Sequence, residues 1–225
     1  MNIAAYIDHT ILKANTSVAE IEKLCAEARE FQFAAVCVPP PYIKLATELL
    51  AGTNVKTATV IGFPFGYANT AAKMAESQAA IKDGADELDV VVNLIEIKRG
   101  NWDYLKHEIS DLTQYIHQEG KIIKVIVESG ILSEEELIKC CEILGPVNID
   151  FMKTSTGYAE KGASTQAVEI MRAHLPQHIQ IKASGGIRDY TFAAQLVNAG
   201  ATRLGCSAGV AIVKGENNSA NIGDY

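Results

Sequence analysis

No stretch of the chain reaches about 18 consecutive apolar residues, so no membrane-spanning helix is expected. A basic surplus is also missing, because Asp and Glu outnumber Lys and Arg 27 to 20 and the formal net charge is -7. A surface of that sign repels polyanions and argues against general nucleic-acid binding, while backbone N–H groups can still build a local phosphate site. The five cysteines (Cys25, Cys37, Cys140, Cys141, Cys206) are odd in number and lack metal-ligand spacing. Reduced thiols in a cytoplasmic protein are expected, not a disulfide framework. The five histidines include no H-x-x-x-H or H-E-x-x-H pair on one expected helix, so no metal site is expected. No G-x-x-x-x-G-K-[ST] loop and no G-x-G-x-x-G after a strand occurs, so no nucleotide cofactor is expected either. Asp8 interrupts the apolar start of the chain, and no secretory signal is expected.

What is present is alternation. Short apolar runs, most of them rich in Val and Ile, occupy 33–38, 57–63, 87–94, 122–128, 148–152, 179–183 and 202–205, and a weaker one covers 6–9. They read as parallel strands buried on both faces. Helical patterns lie between them, over 18–31, 70–82, 102–118, 133–144, 165–174 and 190–198. Eight β–α units in 225 residues fit a (β/α)₈ TIM barrel, an α/β fold, with short loops. No Pro-, Ser- or Gly-rich linker divides the chain, so a single domain over 1–214 is expected. The remainder, 215–225, is polar and aperiodic and is expected to be a mobile tail.

Two internal echoes point to one end of this barrel. Gly84-Ala85-Asp86-Glu87-Leu88-Asp89 resembles Gly200-Ala201-Thr202-Arg203-Leu204-Gly205, which puts Asp89 and Gly205 at equivalent places towards the C-terminal ends of two strands. Barrels carry their chemistry at that end. Lys153-Thr154-Ser155-Thr156-Gly157 likewise echoes Lys182-Ala183-Ser184-Gly185-Gly186, each with a lysine at the end of an expected strand.

A lysine seldom occupies a doubly buried strand, because desolvating an unpaired ammonium is costly. A free lysine titrates near 10.4, so only about one in 2,500 is the neutral nucleophile at pH 7. A second ammonium nearby and a dry environment both disfavour the charged form. Paired lysines in a barrel mouth thus make an amine nucleophile, although spacing alone does not say which of the two it is. Asp89 precedes three valines and reads either as a structural partner of a lysine or as a proton-transfer group. Phosphate binding is expected at two adjacent strand-to-helix junctions, Gly185-Gly186 and Gly205-Cys206-Ser207, with Gly157 adding a further amide. Asp8 and Thr10 either project into the mouth and hold Lys182 or form a capping turn. His9 is given no chemical role. Cys37 ends the second strand, as a packed thiol that also lines the pocket.

Over nearly its whole length the chain resembles the deoxyribose-phosphate aldolase family. The resemblance is carried by Ile7-Asp8-His9-Thr10, Val36-Cys37-Val38, Ile61-Gly62-Phe63-Pro64, the Gly84 to Asp89 segment, the two lysine motifs through Arg188, and Gly205-Cys206-Ser207. It implies class I, Schiff-base chemistry without metal or cofactor, acting on a small phosphosugar and acetaldehyde within nucleoside catabolism. It implies Lys153 as the Schiff-base lysine, Lys182 as the second lysine and Asp89 as the proton relay. It also implies that the C-terminal Tyr225 assists proton transfer. Ala208, where relatives often carry a second serine, the variable position Tyr158, and the run Pro39, Pro40 and Pro41 depart from the pattern and bear on substrate affinity and range. From the residues themselves, an isomerase or another class I aldolase on the same barrel, or a phosphosugar sensor, also fits. A homo-oligomer is left open.

Overall fold

The computed structural model describes residues 2–215. Eight parallel strands close into a barrel in chain order, each paired with its sequence neighbours and the last with the first. The strands are β1 (Ile7–Thr10), β2 (Ala35–Val38), β3 (Lys56–Ile61), β4 (Glu87–Val91), β5 (Ile122–Ile126), β6 (Phe151–Lys153), β7 (Gln180–Ser184) and β8 (Arg203–Cys206). The helices are α1 (Val18–Phe31), α2 (Ile43–Leu49), α3 (Thr70–Lys82), α4 (Leu94–Lys98), α5 (Trp102–Gln118), α6 (Glu134–Leu144), α7 (Thr165–His174), α8 (Tyr190–Asn198) and α9 (Gly209–Lys214). The chain is a (β/α)₈ barrel. Tyr225 and almost all of the expected tail lie outside the described residues.

Local chemistry sets the helix boundaries. Ser17, Asn69, Asn93, Asn101, Ser133, Ser164 and Asp189 each precede a helix and accept a hydrogen bond from a first-turn N–H that has no helical partner. Gly84 and Gly200, the matched glycines of the first echo, follow α3 and α8 at φ +106° and +120°. That left-handed geometry closes the helix and turns the chain into the next strand.

Several expected strands overshoot. The run 87–94 stops at Val91, because Asn93 caps α4 and Leu94 begins it. The run 57–63 stops at Ile61, where Gly62 turns at φ +63°. At 148–152 the strand starts only at Phe151, since Asn148 is left-handed at φ 65°. Apolarity misleads here because the first loop residues beyond the strands, such as Val92 and Val127, are as buried as the strands themselves.

The two faces of the sheet differ. Outward residues such as Val36, Leu88, Val90, Ile123, Val125, Met152, Ile181 and Leu204 join the helices in the main apolar core. Inside, β2 and β3 contribute a small separate apolar cluster of Ala35, Cys37, Ala58 and Val60 with Leu12. Much of the rest of the interior carries charged side chains, so the strands β4 to β8 are buried on both faces as expected while their inner faces are not uniformly apolar. Outside the barrel, a second buried ion pair joins Lys73 of α3 to Glu108 of α5 at 2.9 Å, with both side chains fully buried. Glu108 also accepts the Asn93 N–H at 3.2 Å, which ties α5 to the exit of β4. Lys73→Met leaves the Glu108 carboxylate buried without its cation. It is expected to lower stability by about 3–5 kcal/mol, read as a fall in the urea midpoint at unchanged m-value.

Candidate active site

The inward positions of six strands carry charge. Glu87 and Asp89 alternate with Leu88 on β4, Lys124 faces in from β5, Lys153 ends β6, Lys182 sits mid-strand on β7, and Arg203 opens β8. Asp8 of β1 completes the set. Lys182 is therefore one turn of the pleat deeper than the strand end at which the sequence placed it.

Asp89 is the centre of this cluster. Its Oδ2 lies 2.6 Å from Lys153 Nζ and 2.7 Å from Lys182 Nζ, and its Oδ1 lies 2.7 Å from Lys124 Nζ. Lys182 donates a second bond, of 2.5 Å, to Asp8 Oδ2. Lys124 pairs with Glu87 Oε2 at 2.7 Å. Arg203 bridges Glu87, at 2.8 Å from Nη2, and Asp8, at 2.7 Å from Nε. Thr10 does not reach Lys182; its hydroxyl donates to the backbone carbonyl of Asp8 at 2.8 Å.

Four basic groups (Lys124, Lys153, Lys182, Arg203) thus share three carboxylates (Asp8, Glu87, Asp89) in a buried space. One positive charge is in surplus, and a low-dielectric interior penalises it. The surplus falls on Lys153. Burial lowers its pKa first, and the Lys182 ammonium adds to the effect, while Asp89 opposes it without prevailing. Burial also disfavours the Lys182 ammonium, but Asp8 and Asp89 outweigh it and raise that pKa, so Lys182 stays a cation. Lys124 is held charged in the same way by Asp89 and Glu87 against its own burial. Burial would push Asp89 up, yet Lys124, Lys153 and Lys182 together hold it well below the usual carboxylate range.

A cavity of about 330 Å³ opens at the C-terminal end of the barrel. Lys153 lines it; Lys182, Asp89 and Asp8 do not, and all three are fully buried behind it. Geometry thereby separates the two lysines that sequence spacing left equivalent: one amine faces the cavity, and the other backs it. Thr10, Gly157, Gly185, Gly186, Gly205 and Ser207 also line the cavity. Cys37 does not. It is fully buried in the small interior cluster, and burial raises its thiol pKa, with the Asp89 carboxylate adding to the rise.

The glycines do distinct things. Gly157, Gly185 and Gly186 have φ of +89°, +88° and +77°, so a side chain at any of them is strained. A Cβ on Gly205 would stand 2.8 Å from the Ser184 Cβ and 3.1 Å from Lys182 Cε, so the absence of a side chain there makes room for Lys182. Among the described residues, no protein acceptor engages the N–H of Gly186 or of Ser207. Arg188 stands at the same rim.

Sequence reasoning missed Lys124, Glu87, Arg203 and Arg188. The signal for the first three was strict alternation: Glu-Leu-Asp-Val in β4, Lys flanked by Ile123 and Val125 in β5, and Arg-Leu-Gly in β8. Arg188 had only its place after two glycines.

The fold and this site define a barrel enzyme that presents to its cavity a lysine whose pKa is lowered. The DeoC/LacD aldolase family matches residues 2–215. The deoxyribose-phosphate aldolase of Caldanaerobacter subterraneus subsp. tengcongensis is 47% identical over 215 residues, 95% of this chain and 93% of that one. That of Mannheimia succiniciproducens is 47% identical over 223 residues, 99% and 98% of the two chains. The solved structure of deoxyribose phosphate aldolase from Aeropyrum pernix, described as tetrameric, superposes with a TM-score of 0.88 at 30% identity, covering 94% of this chain and 89% of that one. The chain belongs to the DeoC/LacD aldolase family and is a class I aldolase, a carbon–carbon lyase. No helix of the described residues is long and apolar enough to cross a membrane.

Removing the Lys182 charge raises the Lys153 pKa twice over, by deleting the neighbouring cation and by leaving Asp89 Oδ2 to Lys153 alone. In Lys182→Met, the rate at which an aldehyde is captured as a borohydride-reducible adduct should rise with pH through a limb at least about one pH unit above that of the wild type.

Proposed function

We propose that the protein catalyses the reversible retro-aldol cleavage of 2-deoxy-D-ribose 5-phosphate to D-glyceraldehyde 3-phosphate and acetaldehyde, through a Schiff base on Lys153. The observation that carries this reading is that Lys153, the amine with the depressed pKa, is also the one that faces the cavity. The names of the relatives supply the substrate.

The chemistry follows from the cluster. The neutral Lys153 amine attacks C1 of the open-chain sugar to give a carbinolamine. Loss of water leaves an iminium, which draws electrons from the C2–C3 bond. As that bond breaks, the C3 hydroxyl gives up its proton and C3 becomes the aldehyde carbon of glyceraldehyde 3-phosphate. The C2 electrons remain on Lys153 as the enamine of acetaldehyde. Returning a proton to C2 and adding water to the resulting iminium frees acetaldehyde and the amine.

Asp89 Oδ2 touches both lysine amines, so a proton can pass between them along one carboxylate oxygen. Lys182, held as an ammonium, is the proton donor of this pair. Asp8 keeps Lys182 in place through its 2.5 Å bond. The N–H groups of Gly186 and Ser207, with Arg188 and the Gly157 and Gly185 backbone alongside, receive the phosphate. A homo-oligomer belongs to the same proposal, supported by the tetrameric relative.

Borohydride added with acetaldehyde should leave a reduced two-carbon adduct on one peptide, the one containing Lys153, as read by peptide mass spectrometry. Lys153→Met should abolish both the adduct and turnover. An adduct located on Lys182 or Lys124 instead would overturn the assignment.

A further inference from the structure

Among the described residues three non-glycines have positive φ; of these, Gln32 is the left-handed C-cap of α1, and Asn148 is of the residue type most tolerant of that conformation. The third is Glu128, at φ 54° just beyond β5, with only 3% of its surface exposed. A buried acidic residue in a strained conformation is held there by its partners. Both of its carboxylate oxygens accept the Thr156 N–H, at 3.3 and 3.2 Å, and one also accepts the Thr156 hydroxyl. Thr156 Oγ1 in turn accepts the Tyr158 N–H at 3.0 Å.

The residues flanking Glu128 grip the same loop. Val127 N–H donates to the Lys153 carbonyl at 3.1 Å, and Ser129 N–H to the Thr154 carbonyl at 2.7 Å. Two donors separated by two residues thus meet acceptors separated by one, and the left-handed turn at Glu128 makes that register possible. Gly130 approaches the far end of the loop so closely that a Cβ would lie 2.3 Å from the Lys161 carbonyl oxygen. Thr156, Gly157 and Tyr158 wall the cavity, whereas Glu128 does not line it.

We propose that Glu128 is a positioning residue for substrate recognition: through Thr156 it fixes the path of Gly157 and Tyr158, and so sets affinity for the sugar and not the reactivity of the Lys153 amine. The substrate half of this inference rests on the reading under Proposed function; the structural half does not. Acetaldehyde is too small to need the wall, so its capture is independent of Glu128. In Glu128→Gln the negative charge is lost, and a single amide oxygen must accept from the Thr156 N–H and hydroxyl together, while the NH₂ that replaces the other oxygen meets the Thr156 N–H donor to donor.

Wild type, Glu128→Gln, Thr156→Val and the double variant are compared in three measurements: hydrogen exchange at the Tyr158 amide, steady-state cleavage of the deoxysugar phosphate, and borohydride capture of acetaldehyde. In Glu128→Gln, Tyr158 exchange and KM should each rise about tenfold, the factor that accompanies loss of one hydrogen bond to a buried carboxylate. The rate of acetaldehyde capture should stay within about twofold, and the double variant should be no worse than Thr156→Val, as expected when both act through one contact. Unchanged exchange in Glu128→Gln, additive effects in the double variant, or an equal fall in capture and cleavage would each overturn the proposal. A wild type that captures no acetaldehyde counts against the reading under Proposed function, and the exchange data then decide the role of Glu128 alone.

Discussion

The structure depends on one carboxylate. Asp89 binds Lys153, Lys182 and Lys124 through its two oxygens, all within 2.7 Å. Its charge cannot stabilise three ammonium groups equally in a buried space. Asp8 and Glu87 take up part of the load, and Arg203 consumes part of theirs. What is left is an amine whose pKa is lowered, placed at the edge of the cluster that meets the cavity. Burial lowers the pKa of this amine, and a charge imbalance built into the barrel adds to the effect.

The barrel supports this imbalance by division of labour between its two surfaces. Helix-facing positions form a continuous apolar core, which supplies the stabilisation that an ionic interior does not. Inside, small residues of β2 and β3 form an apolar cluster, and the basic side chains of β5 to β8 meet the carboxylates of β1 and β4. The loops then wall the cavity. Positive φ at Gly157, Gly185 and Gly186 brings backbone from two strand exits into the cavity wall, and Gly205 yields the space through which Lys182 reaches Asp8 and Asp89.

Much of this was written in the linear order of residues. Alternating apolar and amphipathic segments determined a parallel barrel, because only a crossover fold buries so many short Val- and Ile-rich runs. The echo of Gly84 in Gly200 marked equivalent helix ends, since a left-handed turn at both needs glycine. Lysines in otherwise apolar strands marked the chemistry, because a buried ammonium is costly anywhere else. Lys124 and Arg203 were legible by the same rule, in the period of two that sets inward from outward side chains.

Tertiary structure decided the rest. Whether Lys153 or Lys182 is the nucleophile depends on which amine faces the cavity and how many carboxylates surround each, and those partners come from strands 64 and 93 residues away at Asp89 alone. Cys37 shows the same limit from the other side: its place at a strand end is the same in sequence whether it lines the cavity or, as here, packs inside the barrel. Residue order determines which side chains can enter the interior. Only closure of the sheet determines how many opposite charges each one meets there, and in a low-dielectric space that count sets which lysine has its pKa lowered and which have theirs raised.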